Sequence, residues 1–249
     1  MLITVVNPNT TASMTRQIGR CAAAVAAVGT TVVAVNPEMG PASIESHYDE
    51  ALAVPGLLAE IGRGEQAGAD GYVIACFGDP GLDAARELAR GPVVGIAEAA
   101  MHCATFLGRG FGVVTTLSRT LGRARDLVSH YGFDRQCVSL RACEVPVLEL
   151  DDPAGGAYAA ILGECRDAVA IDGAEVIVLG CAGMADLCSR LSAAVGVPVV
   201  DGVAAAVKQV EALVTLGLQT STGGEFATPP AKIYTGLLSA FALGAEVSR

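Results

Sequence analysis

Short apolar runs rich in β-branched residues alternate along this chain with longer segments rich in Ala and Leu. The short runs predict strands at Leu2–Val6, Thr31–Val35, Tyr72–Ala75, Val93–Gly95, Gly112–Thr115, Val138–Ala142, Val176–Leu179 and Val197–Val200. The longer segments predict helices at Thr11–Ala27, Tyr48–Ala67, Asp83–Ala89, Ala97–Leu107, Leu117–Tyr131, Ala154–Ile171, Met184–Ala194 and Val203–Leu216. Strands alternating with helices imply an α/β architecture with parallel sheets. Runs that are apolar at every position, such as Val176–Leu179, fit a sheet covered on both faces.

The pattern repeats within the chain. Gly68-Ala69-Asp70 opens an apolar run that ends at Cys76, and Gly173-Ala174-Glu175 opens one that ends at Cys181. Each cysteine lies 8 positions past its opening glycine. Pro92-Val93-Val94 follows Cys76 by 16 positions, and Pro198-Val199-Val200 follows Cys181 by 17. Near the lobe starts, Val5-Val6-Asn7-Pro8-Asn9-Thr10-Thr11 resembles Val113-Val114-Thr115-Thr116-Leu117-Ser118-Arg119-Thr120. Two similar lobes of about 100 residues follow from this duplication. The expected division is residues 1–97 plus 208–249 for the first lobe and 98–207 for the second. Gly223–Pro230 is the most loop-like stretch.

Composition narrows the partners. The chain has 249 residues, 52% of them apolar and 17% charged, so a sizeable core is available and disorder is not expected. A net charge of −10, with the charges scattered, argues against nucleic acid or an anionic membrane as partner. No apolar stretch has the length of a membrane span, and Met1–Val6 lacks the features of a signal peptide. The 8 cysteines then read as reduced thiols of a cytoplasmic protein.

Cys76 and Cys181 carry the candidate chemistry. Sites of open α/β sheets lie beyond the carboxyl ends of the strands, where both cysteines are predicted. A following helix would lower a thiol pKa and could hold a developing oxyanion. A single cysteine is more often a small buried hydrophobe. The matched repeat positions reverse that preference for this pair. Asp79-Pro80-Gly81 reads as the cap of the helix after Cys76. Gly78 and Gly183 fit either tight turns or a close backbone approach to a ligand. Asn9, Thr115 and Thr116 fit helix caps when taken singly, and ligand binding when taken together at one cleft mouth. His47 fits a cleft-lining or a structural role. No Cys-x-x-Cys occurs and the three histidines are far apart, so no metal site is expected. Gly108-Arg109-Gly110-Phe111-Gly112 precedes its strand and so is no dinucleotide loop.

These residues resemble the aspartate/glutamate/hydantoin racemase superfamily, hydantoin racemases above all and allantoin racemases next. The resemblance rests on Asn7-Pro8-Asn9-Thr10-Thr11, Gly40-Pro41-Ala42-Ser43-Ile44-Glu45, Ala75-Cys76-Phe77-Gly78-Asp79-Pro80-Gly81-Leu82, Gly95-Ile96-Ala97-Glu98-Ala99-Ala100, Val114-Thr115-Thr116-Leu117 and Gly180-Cys181-Ala182-Gly183-Met184. It implies two flavodoxin-like lobes about a pseudo-twofold axis, with the active site in the cleft between them. It also implies that neither metal nor pyridoxal phosphate is needed, and that the chain forms a homo-oligomer. Amino-acid racemases of this group usually carry Asn-Thr after the first cysteine and Thr after the second. Here Phe77-Gly78 and Ala182-Gly183 stand there, which favours a neutral ring over an α-carboxylate.

The expected reaction is racemisation of a 5-substituted hydantoin, with Cys76 and Cys181 exchanging protons at the two faces of C5. Asn9, Ile44, Phe77, Gly78, Thr115, Thr116, Ala182 and Gly183 are the expected substrate contacts. An allantoin racemase is the nearest alternative, and a two-lobed small-molecule binding protein is an alternative of another class.

Overall fold

The computed structural model describes residues 1–150 and 156–243. The first parallel sheet holds β1 (Leu2–Val6), β2 (Thr31–Val35), β3 (Gly71–Ile74) and β4 (Val93–Gly95) in the order β2-β1-β3-β4. The second holds β5 (Phe111–Thr115), β6 (Cys137–Ala142), β7 (Val176–Leu179) and β8 (Val199–Val200) in the order β6-β5-β7-β8. Parallel neighbours need crossovers, which the helices supply. These are α1 (Ala12–Val25), α2 (His47–Gln66), α3 (Leu82–Leu88), α4 (Ile96–Thr105), α5 (Leu121–His130), α6 (Ala157–Ala170), α7 (Cys188–Val195) and α8 (Gly202–Thr215). The expected α/β class with two parallel sheets is what the chain forms. In each sheet the strand order reverses between two central strands, β1 and β3 or β5 and β7. Connections diverge at such a point and leave a crevice beyond the strand ends.

Burial explains why these strands form. Gly71–Ile74, Phe111–Thr115 and Val176–Leu179 are buried at every position, as strands covered on both faces must be. Leu57 and Ile61 of α2 and Leu82 of α3 cover the outer face of the first sheet. Ile161 and Cys165 of α6 and Leu191 of α7 cover the outer face of the second. Between the sheets lies one continuous apolar cluster, from Ile3 and Val73 through Met101 and Val207 to Val113 and Val178. Helix α8 packs on α1, α4, β3 and β4, whereas α4 touches strands of both sheets. After α8 the chain follows the first sheet's half. Thr220 donates its N–H to Arg90 O (3.2 Å) and its hydroxyl to Gly91 O (2.8 Å).

Several element boundaries differ from the sequence reading. The helix predicted over Met184–Ala194 starts only at Cys188, behind a 3-10 helix at Ala182–Leu187. The one predicted over Leu117–Tyr131 likewise opens with a 3-10 turn at Ser118–Thr120. The tighter winding is common at helix starts. The strand predicted over Val197–Val200 shrinks to Val199–Val200, because Pro198 has no N–H to give the ladder. Ala154 and Gly155 of the predicted helix Ala154–Ile171, and residues 244–249 of the predicted first lobe, lie outside the described residues.

Asp79 does not cap the helix that follows it. Gly81, at φ +64°, caps α3. Asp79, itself at φ +43°, turns its carboxylate to α4 and accepts from Ala97 N (3.1 Å) and Glu98 N (2.9 Å). Tyr131, just past α5, donates its hydroxyl to the same carboxylate at 2.7 Å. A Cβ at Gly95 would collide with this carboxylate, so glycine is required there. Burial pushes the Asp79 carboxyl up to about 6, while hydrogen bonds from Tyr131, Glu98 and Ala97 pull the other way.

No helix among the described residues is long and apolar enough to cross a membrane.

Two predictions follow from this packing. Gly202 opens α8, where a Cβ would sit 2.6 Å from the Ile96 carbonyl oxygen. Gly202→Ala should therefore lower the urea midpoint, at a cost of about 1–3 kcal/mol. For Asp79 the folded pKa of about 6 lies above the ordinary 3.8. Its contribution to stability is therefore full below about pH 4 and is lost as pH rises through about 6. In urea titrations across that range, wild type should lose stability relative to Asp79→Asn.

Candidate active site

The ends of the four central strands face one cleft. Asn9 follows β1, Cys76 and Phe77 follow β3, Thr115 ends β5, and Cys181 follows β7. All of these line the cleft, together with Ile44, Gly78, Thr116 and Ala182. Gly183 does not line it; its carbonyl accepts instead from Gln17 Nε2 at 3.5 Å. The cleft holds a cavity of about 80 Å³.

Local hydrogen bonding decides what each side chain has left for a ligand. The Asn9 carbonyl oxygen accepts from Asn7 Nδ2 and Thr11 N, both at 2.9 Å, closing the turn into α1. Its amide nitrogen touches the Met14 sulfur at 3.2 Å. Thr115 donates to Gly180 O at 3.2 Å and lies 3.3 Å from the Thr120 hydroxyl. A Cβ at Gly180 would come within 2.8 Å of Thr115, so a small residue there lets β5 and β7 meet. Asn9 thus combines a turn-closing role with a place in the cleft wall, whereas Thr115 ties β5 to β7 and does not cap the helix that follows. Thr116 is buried and contributes to the lining.

The setting of Cys76 corrects one expectation. Burial pushes its thiol up to about 12, where the sequence reading expected a lowered value. Helix α3 starts only at Leu82, too far to stabilise the sulfur through its dipole. The Gly78 N–H faces the sulfur and favours its ionised form. Loss of solvent outweighs it, and Cys181, Glu50 and Asp79 each add to the rise.

Two charged residues here escaped the sequence reading. Glu50 lies in the first turn of α2, where Ser46 caps the helix by accepting from Asp49 N at 3.1 Å. Arg123 lies in the first turn of α5, on the other sheet's half. Its Nη2 meets Glu50 Oε1 at 2.9 Å and donates to the Gly78 carbonyl at 2.6 Å, and its Nε donates to the same carbonyl at 3.2 Å. Burial raises the Glu50 carboxyl, and Arg123 and then His47 draw it back down. The capping pattern Ser46-x-x-Asp49 was the available signal for where α2 begins, and so for which residues face the strand ends. His47, the first residue of α2, lines the cleft and is exposed. Glu45 Oε1 accepts from Val147 N at 2.7 Å and ties the two halves at the same mouth. Among the described residues no cluster of His, Cys, Asp or Glu is arranged to hold a metal ion.

Comparison with known proteins agrees with this arrangement. The Asp/Glu/hydantoin racemase family profile matches residues 3–210. A hydantoin racemase of Rhizobium meliloti is 52% identical over 236 residues, covering 95% of this chain and 98% of that protein. A hydantoin racemase of Pseudomonas sp. (strain NS671) is 47% identical over 242 residues, covering 97% of each. The solved structure of an allantoin racemase from Klebsiella pneumoniae superposes with a TM-score of 0.95 at 52% identity, covering 98% of this chain and 99% of that one. The matched profile takes in both sheets and both strand-end cysteines, and the chain therefore belongs to the Asp/Glu/hydantoin racemase family.

Proposed function

We propose that this racemase inverts C5 of 5-substituted hydantoins without a cofactor, with Cys76 and Cys181 as the paired proton-transfer groups. One observation carries the reading: a cysteine from each sheet lines the same cleft, at equivalent strand ends. Likeness over the full length to proteins named hydantoin racemase supports the substrate class.

The chemistry suits the groups present. Racemisation removes a proton from one face of a carbon and returns one to the other. A thiolate on one side and a thiol on the other do this in either direction by exchanging roles. In a hydantoin, C5–H adjoins a carbonyl, so the electron pair left behind delocalises onto oxygen as an enolate. Donors at the cleft wall then stabilise that oxygen. Phe77 offers a flat apolar surface to the ring or its substituent, and the Asn9 amide offers N–H groups. Burial, which makes the Cys76 thiol harder to ionise, also makes its thiolate a stronger base. A weak carbon acid calls for that strength.

The allantoin reading keeps the mechanism and changes the substituent to a ureido group. The likeness to an allantoin racemase structure supports it. A binding protein would have no use for the two sulfurs. Thiols that carry protons need a reducing compartment, so we place the enzyme in the cytoplasm. Exposed Ile233 and Leu237 near the C-terminus support contact with a second copy of the chain.

Cys76→Ser and Cys181→Ser should each lower steady-state racemisation by at least about a hundredfold, followed by polarimetry. One of them should still exchange C5–H for deuterium in a single enantiomer. Full turnover in both would overturn the two-sulfur mechanism. Optical decay of enantiopure allantoin against alkyl and aryl hydantoins separates the two substrate readings.

A further inference from the structure

Arg123 bridges the cleft in a way the reaction scheme leaves unused. Arg123 of α5 and Glu50 of α2 form an ion pair across the cleft, from one sheet's half to the other's. The same guanidinium donates twice to the Gly78 carbonyl, two residues past Cys76. The turn that carries Cys76 is closed at one point by Asp79 N donating to Cys76 O at 3.0 Å. Gly78 has no side chain with which to anchor itself, and a Cβ there would meet nothing nearer than Glu50 at 3.6 Å. Arg123 therefore supplies the outer hold on this turn.

The charges around the cleft sharpen its role. Glu45, His47 and Glu50 face it from the first half, Arg119 and Arg123 from the second, and Asp79 and Cys181 also act on Cys76. Arg119 and His47 are exposed, so solvent screens them. Arg123 is half-buried and lies against Glu50, the acidic group that opposes ionisation of Cys76 from α2. An arginine suits both tasks, because its planar fork donates to a carbonyl and a carboxylate at once.

We propose that Arg123 is a positioning residue for Cys76: it pins the Gly78 carbonyl so that the Gly78 N–H stays on the sulfur, and it screens the sulfur from Glu50. This rests on the reading of Cys76 as a proton-transfer group. Arg123 touches no reacting atom; it acts through the turn and through Glu50.

The test is the full pH–rate profile of three variants on an enantiopure hydantoin that wild type turns over. Arg123→Gln should lower kcat by about ten- to a hundredfold with KM little changed, the scale of a misplaced reacting group. Its profile should move to higher pH, since Glu50 then faces Cys76 unscreened. Arg123→Lys should return the profile to its wild-type position while recovering only part of kcat, because an ammonium restores the charge without the fork. Glu50→Gln should move the profile to lower pH, and it tests the charge effect even if Arg123→Gln fails to fold. Wild-type kcat and profile in Arg123→Gln, a loss confined to KM, or a profile in Glu50→Gln that stays put or rises would each overturn the assignment. Cys76→Ser in the same series separates the two failures. If it keeps wild-type turnover, the proton-transfer reading itself falls. If it is inactive while Arg123→Gln behaves as wild type, only the role of Arg123 is lost.

Discussion

The apolar layer shared by the two sheets is the constraint on which the site depends. Ile3, Val73 and Val94 on one side and Val113 and Val178 on the other pack against the same helices. Neither sheet can cover its inner face without the other. A core packed to this degree resists small displacements, because its interdigitated side chains have few alternative arrangements. The strand ends that carry Cys76 and Cys181 are therefore held at a fixed separation by packing well beneath the cleft. Asp79 adds a polar tie at the surface of this layer, joining the start of α4 to Tyr131.

Above that frame the site is dominated by desolvation. Cys76, Asp79 and Glu50 all have their charged forms disfavoured first by burial and only then adjusted by neighbours. The turn after β3 concentrates these groups because its backbone is folded tightly, with Asp79 and Gly81 both at positive φ. Such strain commonly gathers where a ligand must be approached closely. The crevice opens at the strand-order reversal, and burial in the crowded turn beside it makes the Cys76 thiol a weaker acid than usual.

Much of this was legible in the sequence, for identifiable reasons. The strands read clearly because burial on both faces demands uninterrupted apolar runs such as Val176–Leu179. Cys76 and Cys181 read clearly because the duplication put them at equivalent strand ends, and both line the cleft. Boundaries blurred where local rules competed: Pro198 shortened β8, and 3-10 winding delayed α5 and α7. Asp79 misled because an acid before proline satisfies the rule for a local cap, while its real partners lie 18 and 19 residues on. Glu50 and Arg123 were invisible for a different reason. A lone charge on an amphipathic helix looks the same whether water or another lobe faces it, and only the fold brings these two to 2.9 Å.

The two halves match in topology but not in the segment that follows each cysteine. After Cys76 comes a turn with Asp79 and Gly81 at positive φ, whereas Cys181 caps a 3-10 helix. Mirror-image substrates are equal in free energy in water, so a racemase must show identical kcat/KM in its two directions. The unlike walls can therefore be felt only as kcat and KM rising or falling together from one hand to the other. Where the two hands associate equally fast, the enantiomer bound more tightly is the one released more slowly as product.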